Sequence, residues 1–152
     1  MSRLCLIVEG KTEQAFTSSL LIPHLAAQGV YLSKAELAVH ARKKRVEHHG
    51  GVLSYSPFRD HILRRLKEDQ APDVFFSTMV DLYALPHNFP GVAAARSESD
   101  PYRRVKCLER ALAEDIGDKR FIPYIQLHEF EALLLADAGK ITAYYEDCGK
   151  DA

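Results

Sequence analysis

A chain of 152 residues, 47% hydrophobic and 27% charged, with 20 Lys+Arg against 21 Asp+Glu for a net charge of −1, can bury one sizeable core. That balance excludes fibrous, low-complexity and disordered classes, and no apolar run reaches the roughly 18 to 20 residues that span a bilayer. The three cysteines, Cys5, Cys107 and Cys148, have neither zinc-site nor disulfide spacing, and Met1-Ser2-Arg3 enters an apolar segment without a cleavage-site pattern. The expectation is a single cytoplasmic domain over residues 1–152.

Arg3 to Val8 is a short apolar run, the pattern of a strand buried on both faces of a parallel sheet. Glu9-Gly10-Lys11 breaks it. Thr12 is the expected N-cap of a helix in which Glu13, Ala15, Phe16, Leu20, Leu21, His24 and Leu25 recur at helical spacing up to Gly29, with a kink or split at Pro23. A second apolar segment, Val30 to Ala41, is interrupted at Ser33-Lys34 and runs into the basic block Arg42-Lys43-Lys44-Arg45. Ser56-Pro57 predicts the next helix start, with Phe58, Ile62, Leu63 and Leu66 as its buried stripe.

Asp73 to Val80 reads as a third buried strand ending at Asp81. The stretch 82–97, with Pro86, Pro90 and Gly91, reads as a long irregular connection of the kind that often carries function. Asp100-Pro101 predicts a helix ending near Gly117. Phe121 to Leu127 predicts a fourth strand, with Pro123 marking an edge or a bulge, and His128-Glu129-Phe130-Glu131 leads into an apolar helix from Ala132 to Ala136. Residues 141–146 predict a further helical turn or two. The alternation of strand and helix predicts an α/β domain with a mostly parallel four-stranded sheet covered on both faces.

In such sheets ligands bind at the carboxyl ends of the strands. The four predicted strand ends carry Glu9 with Lys11, the basic block 42–45, Asp81, and His128 with Glu129 and Glu131. Carboxylates gathered on one edge repel one another, so they titrate upward or hold a cation. Oxygen donors without nearby cysteine favour Mg²⁺ or Mn²⁺, and such an ion beside a basic loop suits phosphodiester chemistry. Glu9 and Asp81 are the expected catalytic metal ligands, with Glu13, Glu129 and Glu131 as candidates to complete the shell. Lys11, Arg42, Lys43, Lys44 and Arg45 are the expected phosphate or nucleic-acid contacts, and His128 is the candidate proton shuttle.

Leu6-Ile7-Val8-Glu9-Gly10-Lys11-Thr12-Glu13 resembles the first motif of Toprim domains, where an apolar strand delivers a glutamate followed by glycine. Val80-Asp81-Leu82-Tyr83 occupies the place of the second, which normally reads Asp-x-Asp. Residues 79–91 and 123–134 more narrowly resemble the Toprim-like prokaryotic family DUF4276, related to the Toprim domains of overcoming-lysogenization-defect nucleases. The resemblance covers essentially the whole chain, although members of that family tend to be longer, so a C-terminal element is expected to be absent here. It implies a three-layer Toprim/Rossmann-like fold, an Mg²⁺ or Mn²⁺ site, a DNA or RNA substrate, and a defence-type setting beside an SMC/ABC-type ATPase. Tyr83 replaces the second aspartate of the motif. That departure supports the alternative, a non-catalytic partner of the ATPase or a nucleic-acid-binding module with a degenerate site.

Overall fold

The computed structural model describes residues 1–33, 35–38, 54–129 and 132–133. Strand β1 (Ser2–Val8) leads into helix α1 (Lys11–Phe16), a π-helical turn (Thr17–Leu21) and helix α2 (Ile22–Ala27). Two short strands follow, β2 (Val30–Leu32) and β3 (Glu36–Leu37), and then helix α3 (Tyr55–Glu68). Strand β4 (Val74–Asp81) passes through a 3₁₀ turn (Leu82–Ala84) and helix α4 (Val92–Ala95) to helix α5 (Pro101–Ile116). Strands β5 (Phe121–Ile122) and β6 (Ile125–Gln126) follow it.

Among the described residues every strand pairing is parallel, in the order β2-β1-β4-β5, with β3 also on β1 and β6 also on β4. The two apolar faces follow from the period of two along each strand. Cys5, Ile7, Phe76 and Val80 pack beneath α3 and α5 with Phe58, Ile62, Leu108 and Leu112. Leu6, Val8 and Met79 face the other way, against Phe16, Leu21, Ile22 and Leu25. The result is a three-layer α/β fold with a mostly parallel sheet. Among the described residues no helix is long and apolar enough to cross a membrane.

Several local expectations are corrected. The first helix is capped at Gly10 rather than Thr12, and it does not break at Pro23. The Ile22 N–H reaches the Thr17 carbonyl, five residues back, so the backbone is widened just ahead of the proline ring. The hydroxyls of Thr17, Ser18 and Ser19 donate to the carbonyls of Glu13, Gln14 and Ala15 at 2.8, 2.9 and 2.8 Å. They thereby serve the backbone acceptors that the wider turn leaves shared. The extra residue moves the apolar stripe by one place, so Leu20 is exposed while Leu21 and Ile22 face the sheet.

Helix α3 is capped at Ser54, not Ser56, and the connection after β4 holds the 3₁₀ turn and α4 where no regular structure was expected. Helix α5 matches its prediction, with the Asp100 carboxylate accepting from the Tyr102 and Arg103 N–H groups and Gly117 left-handed at its end. The fourth strand is split at Pro123-Tyr124. There the buried Thr78 hydroxyl donates to the Tyr124 carbonyl (3.0 Å) and accepts its N–H (3.1 Å), bridging the gap. Past β6 the Ala132 N–H bonds the Glu129 carbonyl at 2.9 Å and residues 132–133 are helical; the expected helical residues 134–136 and 141–146 lie outside the described residues.

Candidate functional site

The chain leaves β1 toward β2 on one side and returns to β4 on the other, so the strand order reverses between β1 and β4. The crevice beyond the carboxyl ends of that pair is where open parallel sheets bind ligands. β1 and β4 are registered up to Val8 opposite Met79. Glu9 continues the ladder by donating its N–H to the Met79 carbonyl at 3.2 Å, and its Oε2 accepts the Asp81 N–H at 3.2 Å. The structure thus brings together the two acids singled out from sequence, on adjacent central strands. Asp81 is only 7% exposed.

Glu13 is the third residue of α1, where the partial positive charge of a helix start favours an acid. Its side chain folds back so closely over Gly10 that a Cβ there would sit 2.8 Å from Glu13 Oε2. That oxygen is buried and has no hydrogen-bond donor among the described residues. Lys11 is exposed in the same turn.

On the far side of Asp81 the parallel pairing with β6 sets Gln126 opposite it, also buried. The Tyr124 hydroxyl donates to Gln126 Oε1. Burial pushes the Tyr124 phenol up, and the nearby charges of Glu109 and Asp81 push it further. Glu109 accepts the Ile125 N–H at 3.0 Å, and its carboxyl is raised by burial against that hydrogen bond and the pull of Lys106. Sequence reading passed over Tyr124, Gln126 and Glu109. The signal lies in the register: Asp81 is five residues past Phe76 and Gln126 five past Phe121, and Phe76 and Phe121 pair.

His128 and Glu129 follow β6 and are exposed. His128 lines a groove of about 320 Å³ with Tyr102, Glu109, Tyr124 and Gln126. Arg42, Lys43, Lys44, Arg45 and Glu131 lie outside the described residues. Among the described residues, no three His, Cys, Asp or Glu side chains gather as a metal-ligand set. Glu9 and Asp81 nonetheless fit a hard divalent cation in donor type, and the buried oxygen of Glu13 over Gly10 is a carboxylate oxygen without a hydrogen-bond partner among the described residues.

A second polar cluster lies under β3. Glu36 takes His61 Nε2 at 3.1 Å and Arg65 Nη2 at 2.9 Å, with the Cys5 thiol 3.7 Å away. Burial, reinforced by Glu36, pushes that thiol up, which makes it a poor nucleophile.

A family model described as Domain of unknown function (DUF4276) matches residues 8–150. No curated protein and no solved structure matches the chain.

Proposed function

The chain belongs to the DUF4276 family, and we propose that it acts on phosphodiester bonds of nucleic acid through a divalent cation held by Glu9 and Asp81. The observation that carries this reading is the hydrogen bond from the Asp81 N–H to Glu9 Oε2 at the strand-order reversal. It ties the Glu9 carboxylate to the backbone of Asp81 at the ligand-binding edge of the sheet, so that two acids of the oxygen-donor type a hard cation takes stand on adjacent strand ends. The Toprim-like sequence around Glu9 and Asp81 supports the same assignment. Mg²⁺ or Mn²⁺ bound there supplies positive charge to phosphoryl oxygens and polarises an attacking water.

The protein's own residues have separable tasks. The Asp81 N–H fixes the Glu9 carboxylate, and β6 closes one side of Asp81 with Gln126, itself oriented by the Tyr124 hydroxyl. Lys11, exposed after Glu9, supplies a cation for a phosphate. The test is cleavage of single- and double-stranded DNA and of RNA with Mg²⁺ or Mn²⁺. Glu9→Gln and Asp81→Asn should each lower the rate about a hundredfold, as expected for losing ~3 kcal/mol of charge stabilisation, while circular dichroism stays unchanged. Unaltered cleavage by both variants sinks the assignment.

A second reading has its own observation. Tyr83, exposed at the place of the second Toprim aspartate, leaves two acids together where a fuller shell was expected. A non-catalytic partner of an SMC/ABC-type ATPase in a defence-type system fits that degeneracy. Calorimetry separates the two, since heat of Mn²⁺ binding that vanishes in Asp81→Asn belongs only to the metal-dependent reading.

A further inference from the structure

The connection from β4 to α5 builds a groove next to the acid pair. The 3₁₀ turn and α4 pack over α5 and leave a groove of about 450 Å³, lined by Tyr83, Leu85, Val92, Arg96, Arg104 and Leu108 among others. It starts at Leu82, the residue after Asp81, and falls in the size range of small-ligand sites. Leu85, Val92 and Leu108 supply its apolar lining, and two guanidinium groups stand at it.

Tyr83 is 70% exposed, a large aromatic ring left in water two residues after Asp81. Arg104 is held by the Glu98 carbonyl, to which Nε and Nη2 donate at 3.3 and 2.9 Å, and among the described residues Nη1 makes no hydrogen bond. Arg96 is exposed, and no ion pair joins it to an acid among the described residues. An aromatic face, an apolar lining and two guanidiniums are complementary to one chemical unit, a base carrying a phosphate.

We propose that this groove binds one nucleotide of a single-stranded nucleic acid, with the base against Tyr83 and the phosphate on Arg96 and Arg104. The inference rests on the phosphodiester-acting reading above and names its substrate: an unpaired strand led across Tyr83 to Asp81. A paired base has no free face to stack, so duplexes are disfavoured. Tyr83, at the place where a second acid stands in Toprim enzymes, is then a substrate-binding residue.

The test is fluorescence anisotropy of a short labelled oligothymidylate in EDTA, which reads binding apart from chemistry. Tyr83→Ala should weaken binding about tenfold while Tyr83→Phe preserves it, as stacking requires. Arg96→Ala should weaken binding and lower the slope of log affinity against log salt by about 0.7, the loss of one phosphate contact. Both side chains are exposed, so melting temperatures should not move. A matching duplex should bind more weakly.

No binding by the wild type, or equal affinities for wild type, Tyr83→Ala and Arg96→Ala, overturns the proposal. Displacement by thymidine monophosphate at the oligonucleotide's own affinity overturns the strand and assigns the groove to a free nucleotide. Tyr83-dependent binding with no metal-dependent cleavage of any substrate overturns the role of Glu9 and Asp81 and leaves the groove standing. Cleavage lost in Glu9→Gln but indifferent to Tyr83 and Arg96 does the reverse.

Discussion

Glu9 has two roles that different substitutions separate. Its Oε2 accepts the Asp81 N–H beyond the last paired residues of β1 and β4, so the carboxylate also serves as a rung of the sheet. Glu9→Ala should destabilise the protein by about 1–2 kcal/mol, the cost of leaving a largely buried N–H unpaired, whereas Glu9→Gln retains an acceptor and should stay within about 0.5 kcal/mol. Urea unfolding checks the difference. Glu9 and Asp81 were legible in the sequence because a carboxylate ending an apolar strand has no packing reason to be there. Gln126 and Tyr124 were not, since neutral polar residues in a strand look like ordinary alternation until register sets one of them against Asp81.

The first helical segment tests legibility at the scale of elements. Its apolar residues do follow a helical period, but the π turn resets the phase, and only the backbone reveals which of Leu20 and Leu21 faces the sheet. Leu21→Ala should cost about 1–3 kcal/mol and Leu20→Ala less than about 0.5 kcal/mol in denaturant unfolding; equal costs would mean an uninterrupted α-helix. Helix α5 was readable from end to end because its signals are local: a capping aspartate, Pro101 in the first turn and Gly117 past the end. The connection after β4 was not. Its order depends on distant packing, as at Gly91, whose φ of +80° suits glycine and where a Cβ would lie 2.6 Å from the Ala111 Cβ on α5.

At the scale of the molecule, one group of ion pairs among the described residues ties the amino end of the sheet. Arg3 binds Asp69 and Asp73 at 2.9 and 3.0 Å, and Arg120 binds Asp118 at 2.8 Å and the carbonyls of Leu66 and Asp69, all toward the amino end of β4. The Ala71 N–H followed by Arg3 holds Asp69 low, Arg3 holds Asp73 low, and Arg120 holds Asp118 low; the Tyr55 hydroxyl, then Arg59, does the same for Asp115. A carboxyl lowered on folding contributes stability above its unfolded value, near pH 4, and loses it as pH falls through the folded one. The melting temperature should therefore drop on acidification below about pH 4. Glu109 has the opposite sign: burial raises it, so its contribution is present at low pH and lost as pH rises through the folded value. Glu109→Gln should raise the melting temperature at neutral pH, and the gain should vanish near pH 4, as a thermal scan across pH will show. The splice at Pro123-Tyr124 has a further consequence. One threonine hydroxyl bridges two strands of two residues each, whereas the β1–β4 ladder runs over six consecutive registered pairs. Amides of the two short strands should therefore exchange with deuterium faster than those of the β1–β4 ladder, and native-state hydrogen exchange that finds equal protection would show that the splice costs nothing.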